Sequence, residues 1–279
     1  MKTILKGKTR EVEIDTGGPV VIIGESINPT RRKKLVETLS ERNFEFVRQL
    51  AEQQIEAGAE VLDVNVGYPG VDDESLLPET VSFLQENFDI PLCLDSPNPK
   101  AIEAALKVAV GKPLINSVNG EEKSLQAILP LAGEYGAAVI GLVMDDHGIT
   151  HDPEKRLKIA EKIVERAVAM GISRENVIID PMAMAVSADP TACLVTLETM
   201  RLVRDRLGLN ITQGASNISF GLPGREVLND AHMALSIWNG LTCPIANPMK
   251  ITALVKATDL VMARDEYAMR FVEYFQNRS

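Results

Sequence analysis

Apolar positions along the chain fall into two alternating patterns. Short β-prone runs, most of them dominated by Val, Ile and Leu, occur at Val20–Gly24, Val61–Val66, Leu92–Asp95, Leu114–Ser117, Val139–Met144, Val177–Asp180, Ile211–Gly214 and Pro244–Ala246. Between them lie longer stretches with helical spacing, near Phe44–Ala57, Glu74–Asn87, Pro99–Val110, Glu121–Tyr135, Pro153–Met170, Pro190–Leu207, Glu226–Asn239 and Met249–Met262. Near-continuous apolar strands, each followed by a helix, predict a parallel sheet covered on both faces. Eight βα units in about 250 residues predict a closed (β/α)8 TIM barrel rather than an open, doubly wound α/β sheet. No GxGxxG or P-loop follows the first strand, which weakens the open, nucleotide-binding alternative. Breaks such as Gly17-Gly18-Pro19 and Asn98-Pro99 are short, so the chain reads as a single domain. Residues 1–19 are expected to be a leader, read as a hairpin capping the N-terminal end of the barrel. Residues 20–279 form the barrel, with an extra C-terminal helix near Asp265–Phe275.

Composition narrows the partners. The 279 residues carry 29 basic and 39 acidic side chains, a net charge of −10. Such a chain lacks the clustered cations on which binding to nucleic acid or an anionic membrane depends. Cys93, Cys193 and Cys243 form no CxxC pair, so neither a disulfide framework nor a thiolate zinc site is indicated, in keeping with a reducing cytoplasm. The first residues, MKTILKGKTREVEI, lack the apolar core of a signal peptide. The purest apolar stretch, Ala137–Met144, is far shorter than the ~20 residues of a membrane helix. A cytoplasmic enzyme acting on a small ligand, or on one carried by a protein, is the expectation.

Polar residues collect where each predicted strand ends, the face on which barrels of this class build active sites. The strands run in turn into Glu25, Ser26 and Asn28; Asp63 and Asn65; Asp95; Asn116; Asp145 and Asp146; Asp180; Ser216 and Asn217; and Asn247. Any one of these serves equally well as a helix cap or turn residue, but eight strands ending this way point to a site. No Lys, Arg or His closes a predicted strand, so Schiff-base chemistry, a phosphate clamp and a histidine base all lack their residue. The remaining carboxylates and carboxamides suit a flat, neutral heterocycle with N–H donors on its edge. Each charge-assisted hydrogen bond to such a ring is worth roughly 1.5–3 kcal/mol. The 2-amino-pyrimidinone edge of a pterin has this donor pattern.

Several segments together resemble a known family. LDVNVG (Leu62–Gly67), LCLDS (Leu92–Ser96), LINSVN (Leu114–Asn119), IIDP (Ile178–Pro181) and GASNISFGLPGR (Gly214–Arg225), with IIGESIN (Ile22–Asn28), are similar in order to the pterin-binding methyltransferases. These comprise the methyltetrahydrofolate:corrinoid protein methyltransferases and the folate domain of cobalamin-dependent methionine synthase. The resemblance spans about Val20 to Phe275. It implies that Asp95 and Asp180 hold the pyrimidine edge of the pterin, with Asn116 beside them, and that Asn217 reaches N5, the atom that carries the methyl group. Gly214 and Ser216 belong to the same loop, and Asp63 and Asn65 to the second-strand motif. It further implies a tetrahydrofolate/5-methyltetrahydrofolate substrate, a cobalamin or corrinoid supplied by a partner corrinoid protein, and a homodimer. Phe220 stands where the corrinoid iron-sulfur branch has glutamine, which points away from the iron-sulfur partner. A demethylation system passing methyl from a methylcorrinoid to tetrahydrofolate, reversibly, is the expected setting. With no His or Lys available, help for the N5 leaving group falls to Asn217 and water.

Two other readings compete. A dihydropteroate synthase-like enzyme shares the pterin barrel but needs cations for a pyrophosphate, and after Ser216-Asn217 none occurs until Arg225. A non-catalytic corrinoid- or folate-binding subunit is the second; the carrier motif DxHxxG is approached by Asp145-Asp146-His147-Gly148-Ile149-Thr150, which ends in Thr. His147 and His151, with Asp145, Asp146 and Asp152, can be drawn as a metal cluster, but loop acids and histidines are ordinarily solvated, and no metal is expected. His232 reads as a surface or packing residue and Cys93 as a small interior side chain. Arg31-Arg32-Lys33-Lys34 reads as a solvated loop, the alternative being a contact for an acidic corrinoid protein.

Overall fold

The computed structural model of the protein describes residues 1–276. Its central strands are mostly apolar because both faces are covered, one by helices and the other by the interior of a ring. The chain opens with β1 (Lys2–Lys6) and β2 (Glu11–Asp15), paired antiparallel. The ring is built from β3 (Ile23–Ile27), β4 (Val61–Asn65), β5 (Leu92–Asp95), β6 (Leu114–Asn119), β7 (Ala138–Leu142), β8 (Val177–Asp180) and β9 (Ile245–Ala246). These run parallel in the order β8-β7-β6-β5-β4-β3-β9. The predicted strand Ile211–Gly214 is not a regular strand. It closes the ring by single bridges, Ile211 to Ile179 of β8 and Gly214 to Ile245 of β9. Backbone bonds join it to both neighbours, from the Thr212 N–H to the Ile179 carbonyl at 2.9 Å and from the Ile245 N–H to the Gln213 carbonyl at 2.9 Å. Threonine side chains add to them: Thr242 Oγ1 accepts from the Ile211 N–H at 3.0 Å, and Thr212 Oγ1 donates to the Cys243 carbonyl at 2.6 Å.

Helices α1 (Lys33–Ser40), α2 (Glu45–Glu56), α3 (Asp73–Asn87), α4 (Pro99–Val108), α5 (Glu122–Glu134), α6 (Pro153–Ala169), α7 (Ala192–Leu202), α8 (Arg225–Trp238), α9 (Pro248–Val261) and α10 (Met269–Gln276) complete the described chain. The starts of α4, α6 and α9 follow one rule: Asn98, Asp152 and Asn247 accept a backbone N–H of the first turn, and a proline takes the first helical position. Asn247, a strand-end residue in the sequence, is thereby explained as a cap. Helix α1 is absent from the sequence-based expectation, its start hidden in four consecutive cations, although Leu35 and Leu39 at i, i+4 are both buried. The first barrel strand lies three residues later than expected, and α7 continues into a π-helical turn, Val203–Leu207, that ends at left-handed Gly208.

Two apolar clusters divide the molecule. The larger fills the space between strands and helices, with Leu62, Val64, Leu94, Ile115, Val139 and Val177 as its strand members. The smaller lies inside the ring and contains Ile23, Val61, Cys93, Leu114, Ala138, Ile140 and Ile178. Leu5, Val12 and Ile14 of the hairpin belong to this inner cluster, and Asn210 Nδ2 ties the hairpin down through Thr3 Oγ1 at 2.9 Å and the Ile14 carbonyl at 2.8 Å.

Candidate active site

Parallel register sets the site. Asp63 pairs with Cys93, Cys93 with Leu114 and Leu114 with Ala138, one interior row. Two residues on, Asn65, Asp95 and Asn116 form the next row toward the C-terminal end. Paired positions on neighbouring strands lie about 4.8 Å apart, which brings the polar side chains within mutual reach. Asn65 Nδ2 donates to Asp95 Oδ2 at 2.9 Å while its Oδ1 accepts the Gly67 N–H at 2.7 Å. Asn116 Nδ2 donates to Asp63 Oδ1 at 3.2 Å. Asn65–Asp95 and Asn116–Asp63 are therefore two hydrogen-bonded pairs, coupled through the charge of Asp95 acting on Asp63.

Asp180 ends β8 on the same mouth. Its Oδ1 accepts the Met182 N–H at 2.7 Å, and the Gly214 N–H also acts on its carboxyl. Gly214 leads into a 3-10 turn, Ala215–Ser219, that presents Asn217 to solvent. A Cβ added at Gly214 would stand 3.0 Å from Asn217 Nδ2, so the glycine lets that amide fold back toward the strand. Asp180, Gly214 and Asn217 are thus a second connected group, with Ser216 between. Its carbonyl accepts from Arg225 Nη2 at 2.8 Å.

Electrostatics distinguish these acids from ordinary surface carboxylates. Burial pushes Asp95 up to about 6, with the Asn65 amide opposing. Burial and the neighbouring Asp95 charge push Asp63 well above the usual range, against the Asn116 hydrogen bond. Burial pushes Asp180 up to about 7, opposed by the Met182 N–H, the Arg156 charge and the Gly214 N–H. Near neutral pH Asp95 and Asp180 can accept a ring N–H as carboxylates or give up a proton as acids.

Two clefts open on the mouth. One, of about 440 Å³, is lined by Asp95, Asn116, Ser117, Asn119 and residues of α5. The other, of about 480 Å³, is lined by Glu25, Ser216, Arg225, Asn229, Asn247 and Lys250 among others. Asp180 and Asn217 line neither. Glu25 is raised by burial and drawn down by Arg32, Arg225 and Lys250. These cations belong to helices and loops rather than strand ends, which is why strand-end reasoning missed them. The basic loop is likewise no purely solvated segment. Arg32 Nη1 donates to the Ser26 carbonyl at 2.6 Å, the Arg31 guanidinium sits 4.9 Å from the centre of the exposed Phe220 ring, and Lys33 and Lys34 begin α1.

The remaining candidates are structural in their contacts. Asp145 Oδ1 accepts the His147 N–H in a turn, His151 pairs with Asp189 at 2.8 Å, and Asp152 caps α6. Among the described residues no group of three His, Cys, Asp or Glu is placed to hold a metal ion. His232 is buried, with Nε2 2.6 Å from Gln213 Nε2 and Nδ1 3.4 Å from Cys193 Sγ. Burial lowers it to about 4, so it is neutral at physiological pH. Cys93 is buried inside the ring. No helix among the described residues is long and apolar enough to cross a membrane.

Comparison with known proteins bears on this geometry. The family described as pterin binding enzyme matches residues 24–247. A methylcorrinoid:tetrahydrofolate methyltransferase of Eubacterium limosum is 30% identical over 266 residues, 92% of this chain and 96% of that protein. A methionine synthase of Mycobacterium tuberculosis (strain ATCC 25618 / H37Rv) is 29% identical over 245 residues, 83% of this chain but 21% of that longer protein. Among solved structures, a Yersinia pestis dihydropteroate synthase with a pterin-sulfa conjugate superposes with a TM-score of 0.72 at 18% identity, covering 94% of this chain and 99% of the other. A Coxiella burnetii dihydropteroate synthase with pteroic acid gives 0.67 at 17% identity, covering 94% and 99%. At these identities the structural likeness establishes the barrel fold alone.

Proposed function

Because the chain belongs to the pterin binding enzyme family, we propose that it transfers a methyl group between N5 of tetrahydrofolate and the cobalt of a corrinoid carried by a separate protein. The physiological direction in this reading is from methylcorrinoid to tetrahydrofolate. The observation that carries it is the pairing of a buried acceptor set with an exposed carboxamide: Asp180 contacts the Gly214 N–H, and Gly214 in turn abuts Asn217. Likeness to the Eubacterium limosum protein along almost the whole length of both chains supports the same reaction class. The corrinoid supplies the metal that takes or gives the methyl group. Tetrahydrofolate is the substrate, and a homodimer is the assembly this reading expects.

In this reading Asp95 and Asp180, as carboxylates, accept the N–H donors of the pyrimidinone edge, with Asn116 completing the edge. Asn65 holds Asp95 in place by donating to its carboxylate, and Asp63 holds Asn116 by accepting from its amide. The ring is then oriented with N5 toward Asn217. A tertiary amine departs poorly unless it gains proton character as its C–N bond breaks. The Asn217 amide and water stabilise that developing N5–H, and in the opposite direction they orient the N5 lone pair toward the methyl group. The exposed rim formed by Arg31 and Phe220 is where an acidic carrier protein would approach.

Mixing the purified protein with methylcobalamin and tetrahydrofolate tests the proposal. Growth of the cob(I)alamin absorption, reversed by 5-methyltetrahydrofolate, is the expected result. Absence of any spectral change with either substrate pair would overturn the proposal.

A further inference from the structure

A cation stands behind Asp180 that hydrogen-bonds to no acid. Arg156, in the first turns of α6, is fully buried. Its Nε donates to the Thr150 carbonyl at 2.7 Å, and its Nη1 to the carbonyls of Pro181 at 2.7 Å and Met182 at 3.1 Å. Nη2 lies 3.7 Å from Met184 Sδ. A buried guanidinium without an ion-pair partner is costly to fold around, and an apolar side chain would fill the same helix stripe. The residue it grips is itself unusual. Met182 has a φ of 62°, a left-handed backbone that side chains rarely adopt. In that conformation its N–H points back to Asp180 Oδ1 at 2.7 Å, while its carbonyl takes both Arg156 Nη1 and Thr196 Oγ1, each at 3.1 Å.

We infer that Arg156 is a positioning residue for Asp180. Through the Pro181 and Met182 carbonyls it holds the turn that fixes the carboxyl, and its permanent charge keeps that carboxyl available as an acceptor for the edge of a pterin. The inference rests on the pterin reading of the site and deepens it, adding a residue that never touches substrate.

The groups acting on Asp180 support this. They are Arg156 from α6, the Met182 N–H, the Gly214 N–H, and Cys243 on the segment entering β9, whose thiol burial pushes up to about 12 and so leaves uncharged. Arg156 is the charged group among them. With it in place the carboxyl titrates at about 7. Without it burial acts unopposed by charge and the midpoint rises, so at neutral pH the carboxyl holds a proton and offers a donor to a donor. Affinity that depends on the carboxylate is present above this midpoint and lost below it.

The test titrates protein labelled with carboxyl-13C aspartate from pH 5 to 9 by NMR, with Asp180→Asn identifying the resonance, and measures tetrahydrofolate binding by calorimetry across the same range. For Arg156→Gln the midpoint rises by a unit or more. Binding then falls about fivefold or more at pH 7 and recovers toward wild type at pH 9. Arg156→Lys keeps the wild-type midpoint. A midpoint for Arg156→Gln equal to wild type, or a binding loss equal at every pH, overturns the inference. Thr196→Val removes the other donor to the Met182 carbonyl and leaves the charge, so it carries the test should Arg156→Gln not fold. It weakens binding several-fold with no midpoint shift, and wild-type binding would overturn the positioning role. The NMR titration reads the Arg156–Asp180 coupling without folate; wild-type protein that titrates as expected yet binds no tetrahydrofolate refutes the pterin reading instead.

Discussion

Asp180→Asn separates the cost of the site from its use. In the unfolded chain this carboxyl titrates near 3.8, and in the folded protein burial moves it to about 7. Between those values the folded state holds a proton that the unfolded state has released, so stability declines as pH rises through the window. At 1.36 kcal/mol per unit, the difference of about 3 units amounts to about 4 kcal/mol above pH 7, and to nearly nothing below pH 4. Asparagine has the same shape, and its Oδ1 still accepts the Met182 N–H. The variant therefore melts higher than wild type at pH 8.5, on the order of 10 °C for a chain of this size, and the gain shrinks steadily toward pH 4. Its tetrahydrofolate affinity moves the other way, roughly ten- to a hundredfold weaker at pH 8.5, because an amide faces a ring donor where a carboxylate accepted. Differential scanning calorimetry across pH and isothermal titration of folate read the two effects. A melting gain that is absent, or the same at pH 4.5 and pH 8.5, would refute the reasoning about the buried carboxyl.

Other residues divide the same way. Asn217→Ala is expected to slow methyl transfer by roughly 10²–10³-fold while changing folate affinity only a few-fold; single-turnover rates with methylcobalamin check this, and an unchanged rate removes Asn217 from the chemistry. Asp95→Asn weakens folate binding about tenfold by calorimetry, since it removes an acceptor that Asn65 orients, and unaltered affinity would exclude it from the ring edge. Ile14→Ala, far from the mouth, costs about 2–5 kcal/mol as a cavity in the inner cluster. It should lower the denaturation midpoint while leaving turnover at 20 °C intact; lost turnover in folded protein would link the hairpin to the site.

The ring was legible in sequence because a strand covered on both faces has few polar positions to hide its limits; Leu92–Asp95 and Val177–Asp180 match the observed strands residue for residue. Polar residues stand out most where such a strand ends, which made Asp95 and Asp180 visible. Ile211–Gly214, Ile-Thr-Gln-Gly, carries a single aliphatic side chain, its neighbours β8 and β9 offer four and two paired residues, and threonine hydroxyls supplement the backbone bonds that close the ring. Hydroxyl bonds of that kind leave no mark in periodicity. Arg156 was legible in principle. It falls on the stripe with Ala160, Ile163 and Ala167 of α6, and a cation on an apolar stripe is the signal that was passed over. Glu25 closes on Arg32, Arg225 and Lys250 from distant parts of the chain, a convergence that only the fold supplies.

The acids that make the site also constrain how the ring can pair. Asp63, Asp95 and Asp180 occupy interior positions, while their chain neighbours Leu62, Val64, Leu94 and Ile179 face the helices in the larger cluster. A one-residue slip of any of these strands would exchange the two faces. It would carry a carboxylate into a layer of leucine and valine with no hydrogen-bond partner, and at neutral pH an unpaired buried charge is among the costliest errors a core can contain. The same carboxyls tolerate the native interior because Asn65, Asn116 and the Met182 N–H meet them there. The native register thus carries a smaller penalty than the slipped ones, so a site that lowers the stability of the fold at neutral pH also widens the gap between that fold and its nearest competitors.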